Sequence, residues 1–406
     1  MDTDVDVLIA GGGLVGSSLA IALDGCGLSV ALIEAAAPRA DAQPSYDERN
    51  LALARASVNA LTALGVWPRV AARATPIRRV HVSRAGEFGA LRLDAASQGV
   101  DALGAVLPAR ELGNGLLQQL EQCTTLVRRA PATVEALTPS ADRVALRIAG
   151  AHGVETLRAR LVVGADGTAS FVRGACGIGT RTLDYGQTLI VTTVTPERAL
   201  DGCAVERFSD SGPVALLPLT ERRAGLVLSV ANDEAQAIAA MDDAAFVAYA
   251  QTRVGWRAGR LARPGRRQAH AIRRVLADTL VAPRAVLVGN AAQTIHPIGA
   301  QGFNLGLRDA LTLAERVIAA ARAGGDPGTP ELLAGYAAAR QEDRDGTLAF
   351  SDGLVRLACN PASPLRPLRT LGLVLMDTFA PLKSAAARRG MGFRGTPTAY
   401  ALGRRP

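Results

Sequence analysis

The first 34 residues narrow the folds open to this chain more than any other stretch. An apolar run, Val5–Ala10, meets Gly11, Gly13 and Gly16, a helical pattern follows, and a second apolar run ends at Glu34. Such a strand, glycine turn, helix and strand form a βαβ unit. Gly11 permits the tight turn, Gly13 lets a pyrophosphate touch backbone, and Gly16 lets the helix pack on the strand, with Leu14 and Val15 at the helix start. Glu34 can accept hydrogen bonds from ribose hydroxyls. With a strand before it, a helix after it and an acid at the right remove, the glycine pattern reads as a dinucleotide site rather than a structural turn. Nothing in it separates FAD from NAD.

Two later segments carry that distinction. Leu161–Arg173, LVVGADGTASFVR, reads as strand, tight turn and helix. Asp166 and Gly167 fall where a strand end would meet the middle of an extended cofactor; the alternative is an Asp-Gly turn with no ligand. Leu287–Asp309, LVGNAAQTIHPIGAQGFNLGLRD, follows the apolar run Val281–Val288 and opens a helix. Leu307, Leu311, Ala314 and Ile318 recur at helical spacing and should face inward, while Gly299, Gly302 and Gly306 allow close approach to the first turn. Free N–H groups and the positive dipole end of a helix stabilise negative charge, which suits the pyrimidine ring of a reduced flavin. In the same segment Pro297 stiffens the loop beside His296, whose imidazole either relays a proton near neutral pH or fixes the loop by a hydrogen bond. His81, His152 and His270 lack ligand spacing and read as structural.

Taken in order and spacing, these three segments resemble the fingerprints of the single-component flavin monooxygenases that hydroxylate aromatic rings, from Val5 to about Arg344. Within that group, HPIGAQGFNLGLRD (His296–Asp309) and DERNLALARASVNALTALGVW (Asp47–Trp67) resemble the ubiquinone-biosynthesis hydroxylases, nearest to the branch acting on 2-polyprenyl-6-methoxyphenol. The resemblance implies a mixed α/β fold. A Rossmann-like FAD-binding domain (1–74, 104–178 and 277–350) is interleaved with a β-sheet substrate domain (75–103 and 179–276), and C-terminal helices occupy 351–406. It implies a non-covalent FAD contacted by Gly11, Gly13, Leu14, Val15, Gly16, Glu34, Arg49, Arg110, Asp166, Gly167, Gly289, Asn290, Pro297, Gly299, Ala300, Gln301, Gly302, Phe303 and Asn304. His296, Pro297 and Gln301 are the flavin-face candidates, with no catalytic residue assigned. Arg49 and Arg110 each have the alternative of an ordinary surface arginine. Ser57 is expected to cap, and Gly65 to end, a helix after Arg49.

The chemistry so implied has NAD(P)H reduce FAD, and O2 then give a C4a-hydroperoxide that hydroxylates an electron-rich prenylated phenol. A single GxGxxG unit fits transient docking of the nicotinamide. Two positions depart from the resemblance. Asn290 stands where the wider group has Asp, keeping an acceptor without the charge. Gly299-Ala300 stands where the branch has Ala-Gly, which puts a methyl group at a point of close backbone approach.

The 406 residues, 49% of them hydrophobic, can fill two or three domains. No apolar run reaches the roughly 18 residues of a membrane span, Met1-Asp2-Thr3-Asp4 is acidic where a signal peptide is basic, and the five cysteines form no CxxC pair. These features point to the cytoplasm and away from metal or disulfide roles. The net charge of +8 rests on arginine, Lys383 being the only lysine. Dispersed Arg pairs without interleaved aromatics argue against nucleic acid; they are either a solvated surface or a surface for an anionic inner membrane, suited to a substrate with an isoprenoid tail. The cluster Leu371, Leu373, Val374, Leu375, Met376 and Phe379 is first read as core, with contact to membrane or to subunits of a ubiquinone-biosynthesis complex as the alternative. Three other functions remain within reach of the residues: an FAD-dependent prenyl reductase, another aromatic hydroxylase, and a non-catalytic lipid-binding or assembly subunit. A halogenase would need a lysine in the N-terminal half.

Overall fold

The computed structural model describes residues 3–37, 49–151, 153–360 and 362–406. Asp47 and Glu48 of the second resemblance string, and His152, lie outside them.

The first strand, Thr3–Ala10, pairs in parallel with Val30–Ile33 on one side and with the C-terminal half of Gly153–Gly164 on the other. Leu126–Arg129 extends the sheet beyond Val30–Ile33, and Ala285–Leu287 extends it beyond Gly164. Val7, Leu8 and Ile9 are wholly buried, as expected of a parallel strand covered on both faces. Helices Leu14–Leu23 and Gln301–Arg322 pack together over it, the latter turning Leu307, Leu311, Ala314 and Ile318 into the core.

The apolar run before the third glycine segment is not one continuous strand. The run 281–288 forms a tight hairpin, Val281–Ala282 against Ala285–Leu287, because Pro283 has no N–H to donate and Arg284 adopts a left-handed φ of 60°.

A second sheet runs in the order Gln293–Thr294, Gln268–Ala277, Thr180–Pro196, Ala224–Ala231, Val214–Pro218, Cys203–Phe208, Arg79–Arg84, Ala90–Asp94. Helix Asp243–Val254, capped by the Asp242 side chain, covers one face of it through Phe246, Ala250 and Val254. The opposite face meets the first domain, where Ala204, Val80 and Leu217 pack on Ile77 and Val106. Two short strands cross the expected boundaries. Thr75–Ile77 pairs with Gly104–Pro108 beside Asn50–Ala54, and Gln293–Thr294 joins the edge of the second sheet; each satisfies its backbone groups on the layer it crosses to.

After the long helix Pro330–Ala358 come helices Arg366–Thr378 and Ala380–Gly390. Half of the apolar cluster on them is not core: Leu371, Leu375 and Phe379 are 54%, 47% and 55% exposed. The inward side of the first of these helices carries Arg369, whose buried side chain pairs with that of Glu87, beside the partly buried Leu373, Val374 and Met376. Core contributions from the last segment come from Met391 and Tyr400, whose hydroxyl donates to the Ala22 carbonyl at 3.2 Å.

Ser57 does not act as a cap. It lies within helix Arg55–Ala63, and its hydroxyl donates to Asn304 Oδ1, whereas Gly65 at φ 77° does follow the end of that helix.

Candidate active site

The register places the three glycine segments on one line. Ala10 stands level with Ile33 and Gly164, and Gly164 with Leu287. Gly11, Glu34, Asp166 and Gly289 therefore all emerge at the C-terminal edge of neighbouring parallel strands, the place where open α/β sheets bind ligands.

Contacts between the turns are close. A Cβ on Gly11 would sit 2.5 Å from the Ala165 carbonyl oxygen, and one on Gly16 only 1.9 Å from that of Gly11. One on Gly306 would sit 3.0 Å from both Gly289 Cα and a Val15 methyl. Arg173 ties the second turn to the third by donating to the Thr168 and Ala291 carbonyls at 2.8 and 3.0 Å, and the Thr168 and Thr294 hydroxyls are 2.7 Å apart.

Around Gly13 the situation reverses: nothing lies within 4 Å of where its Cβ would be, and it begins helix Leu14–Leu23 with no side-chain cap. An uncapped helix start beside open space presents its N–H groups to an anion. Glu34 is held in place there, accepting the Gly12 N–H at 2.6 Å and the Ala36 N–H at 2.7 Å. Gly12 thus belongs to the turn, although the glycine spacing alone did not mark it.

Asp166 is more committed than the sequence suggested. Its carboxylate accepts the Ser170 hydroxyl at 2.5 Å and the Val172 N–H at 3.0 Å, so the side chain serves the turn and the helix after it. Asn290 is exposed at its strand end. Arg49 is exposed and Arg110 partly so, the latter 3.5 Å from Glu111.

The loop after Thr294 gathers the remaining candidates. Gly299 and Ala300 both adopt left-handed φ, 64° and 50°, immediately before helix Gln301–Arg322. His296 is 1% exposed, and its Nδ1 accepts the Ile298 N–H at 3.1 Å. Nε2 therefore carries the proton of the neutral ring. Burial holds the imidazole at about 4, and the hydrogen bond ties it to the loop as a neutral ring. Neither His296 Nε2 nor Gln301 Oε1 has a partner among the described residues.

Asn304 resolves differently. All four capacities of its amide are used: Oδ1 accepts from Ala54 N and Ser57 Oγ, and Nδ2 donates to the Ala52 and Ala300 carbonyls. Its side chain positions the helix start against strand Asn50–Ala54. Phe303 packs against the core, while Gly302 faces open space.

Beneath this loop lies an ionic network that sequence reasoning missed. Asp309, 2% exposed, accepts from Gly289 N at 3.3 Å, Gln293 Nε2 at 2.5 Å and Arg340 Nε at 2.7 Å. Asp343 accepts from Arg340 and Arg308, each at 2.7 Å. Burial would raise Asp343, but the two guanidiniums hold it down at about 2. The Arg340/Asp343 spacing on one helix was the available signal. Nearby, the Tyr185 ring stands edge-on to His296 at 4.8 Å, and its hydroxyl donates to Asp352, which also pairs with Arg274.

These residues fit FAD. The uncapped helix and open ground at Gly13 suit a diphosphate, and the unpartnered donor and acceptor on the loop after Thr294 suit a polar ring edge.

The chain matches the family described as the FAD binding domain over residues 4–351. Ubiquinone hydroxylase UbiL of Rhodospirillum rubrum is 40% identical over 96% of this chain and 90% of that protein. The 3-demethoxyubiquinol 3-hydroxylase of Escherichia coli is 33% identical over 95% and 98% respectively. Among solved structures, p-nitrophenol 4-monooxygenase PnpA from Pseudomonas putida superposes with a TM-score of 0.81 at 20% identity, covering 98% of this chain and all of that one.

Proposed function

This chain belongs to the FAD binding domain family, and from that premise we propose that it hydroxylates the aromatic ring of a polyprenylated phenol in ubiquinone biosynthesis, using NAD(P)H and O2. The observation that carries this reading is the alignment of Gly11, Asp166 and Gly289 at one sheet edge beside the left-handed loop of Gly299 and Ala300.

The helix start after Gly13 binds the diphosphate, Glu34 takes a ribose hydroxyl, and the loop from Pro297 to Gly302 faces the flavin ring. When bound, FAD supplies the redox and oxygen-transfer chemistry. The chain's part is orientation and exclusion of water. Asp309 anchors the Gly289 N–H to the helix that begins at Gln301, so the third turn and the ring-facing loop hold a fixed distance. The apolar second sheet closes the substrate side.

Among the described residues no helix is long and apolar enough to cross a membrane. The outward row Leu368, Leu371, Leu375, Phe379 and Leu382, exposed between 46% and 60%, fits an anionic lipid surface, since Arg366, Arg388 and Arg389 on the same two helices are exposed as well. Co-sedimentation with phosphatidylglycerol vesicles, lost in Leu371→Asp/Leu375→Asp, supports lipid contact. Binding to no vesicle, with a biosynthetic subunit captured through the same row, overturns it.

The test of the function is product mass under labelled dioxygen with a prenylated phenol and NAD(P)H. One labelled oxygen in the ring is the expected result. A reduced, unlabelled product would make the chain a reductase, and phenol binding without turnover a non-catalytic subunit.

A further inference from the structure

Across the second sheet, the paired registers define one transverse row: Val191 opposite Val227, Val227 opposite Ala215, Ala215 opposite Glu206, Glu206 opposite Val82, and Val82 opposite Leu91. Side chains in such a row share a face, and the next row, Leu217, Ala204 and Val80, packs on Ile77 and Val106 of the first domain. Glu206 is thus the one ionisable residue in an apolar row on the face that looks toward the cofactor domain.

The half-buried carboxylate lies close enough to the Gly299 N–H of the left-handed loop for that N–H to favour its charged form, and among the described residues it makes no ion pair. A carboxylate in apolar surroundings with one backbone N–H nearby is costly unless a ligand uses its hydrogen-bonding capacity. The nearby charges are committed elsewhere. Arg84, two residues from Val82 on the same face, pairs with Glu87 and Asp210; Arg274 and Asp352 pair with each other. Cys359, whose thiol burial pushes up to about 11, also feels the Glu206 charge, and His296 stands three residues before Gly299 on the loop. Both are uncharged at neutral pH.

Resting on the function given above, we propose that Glu206 receives the phenolic hydroxyl of the substrate and takes its proton as the ring is oxygenated. The phenol O–H bond breaks, its electron pair stays on the phenolate oxygen, and the proton bonds to a Glu206 oxygen until product release returns it to solvent. The phenolate so formed is the electron-rich ring that oxygen transfer requires. Burial raises the Glu206 carboxyl to about 7, with the Gly299 N–H opposing the rise, which matches a group exchanging a proton near neutrality.

The test uses flavin-loaded wild type, Glu206→Gln and Glu206→Asp, first checked for equal flavin content and thermal midpoint. Binding of 2-methoxyphenol and of its methyl ether, 1,2-dimethoxybenzene, is read from perturbation of the flavin absorbance between pH 5.5 and 8.5. Wild type should prefer the phenol at least tenfold, with a pH dependence centred near 7. Glu206→Gln should lose both, and Glu206→Asp should recover part of each. The kcat for phenol hydroxylation should fall about 100-fold in Glu206→Gln and recover in part in Glu206→Asp. Unaltered phenol preference and pH profile in Glu206→Gln overturn the proposal. A wild type that discriminates through Glu206 yet never oxygenates the ring would instead overturn the function while leaving this assignment standing.

Discussion

A methyl group placed on Gly16 would lie 1.9 Å from the Gly11 carbonyl oxygen. The helix and the first turn are therefore in backbone contact, and no side chain rotation can relieve the clash. Gly16→Ala should destabilise the protein by about 1–3 kcal/mol or more, as overpacking does, and should lose flavin in proportion. Chemical denaturation and the ratio of flavin to protein absorbance measure the two effects.

Gly13 makes the complementary case. Nothing stands within 4 Å of its Cβ direction, so Gly13→Glu should fold normally while placing charge against the diphosphate. Circular dichroism and thermal midpoint close to wild type, with no bound flavin, are the expected results. Stoichiometric flavin in this variant would remove the N-terminal turn from the site.

The network below the flavin-facing loop should be sensitive to loss of one partner. Arg340→Ala leaves Asp309 and Asp343 buried without their shared cation, a loss that typically costs about 3–5 kcal/mol. Because Asp343 is held near 2 in the folded state, its contribution is complete above its ordinary value of 3.8 and disappears as pH falls toward 2. Urea unfolding of wild type at pH 5, 4 and 3 should show that decline, and it should be much smaller in the variant.

Two buried imidazoles act at milder acidity. Desolvation holds both His81 and His296 near 4, with Arg257 and Arg92 assisting at His81, against 6.5 for the free ring. The unfolded chain binds more protons between those values, so stability falls as pH drops from 6.5 to 4, by up to about 3 kcal/mol for each site. Above 6.5 neither contributes. His296→Phe should flatten the decline measured by denaturant midpoints at pH 7, 5.5 and 4.5.

Much of the architecture was legible because it depends on local pattern. Val5–Ala10, the turn at Gly11 and the helix carrying Leu307 and Leu311 follow directly from periodicity and glycine placement. What periodicity cannot report is which side an amphipathic helix turns inward. The leucines of 366–378 looked like core, yet Arg369 faces inward because Glu87, 282 residues away in sequence, waits there. The same limit hid Glu206, whose significance comes from a register spanning six strands. Motif reading also cannot show what a polar side chain already holds: Asn304 and Asp166 sit within the expected segments and hydrogen-bond to the protein itself.

Ala300 is a point where this sequence departs from its resemblance with a measurable cost. At φ 50° its Cβ disfavours the left-handed conformation, so Ala300→Gly should raise stability by up to about 1 kcal/mol. Differential scanning calorimetry of the flavin-loaded variant checks this, and a lowered midpoint would show that the methyl group packs favourably.

The most direct measurement of the central claim is a crystal structure of the flavin-loaded protein. Density for a single FAD reaching from the helix start after Gly13, past Asp166 and Asn290, to the loop at Gly299 is the predicted result. Density confined to one of those turns, or lying in a different cleft, would contradict the account.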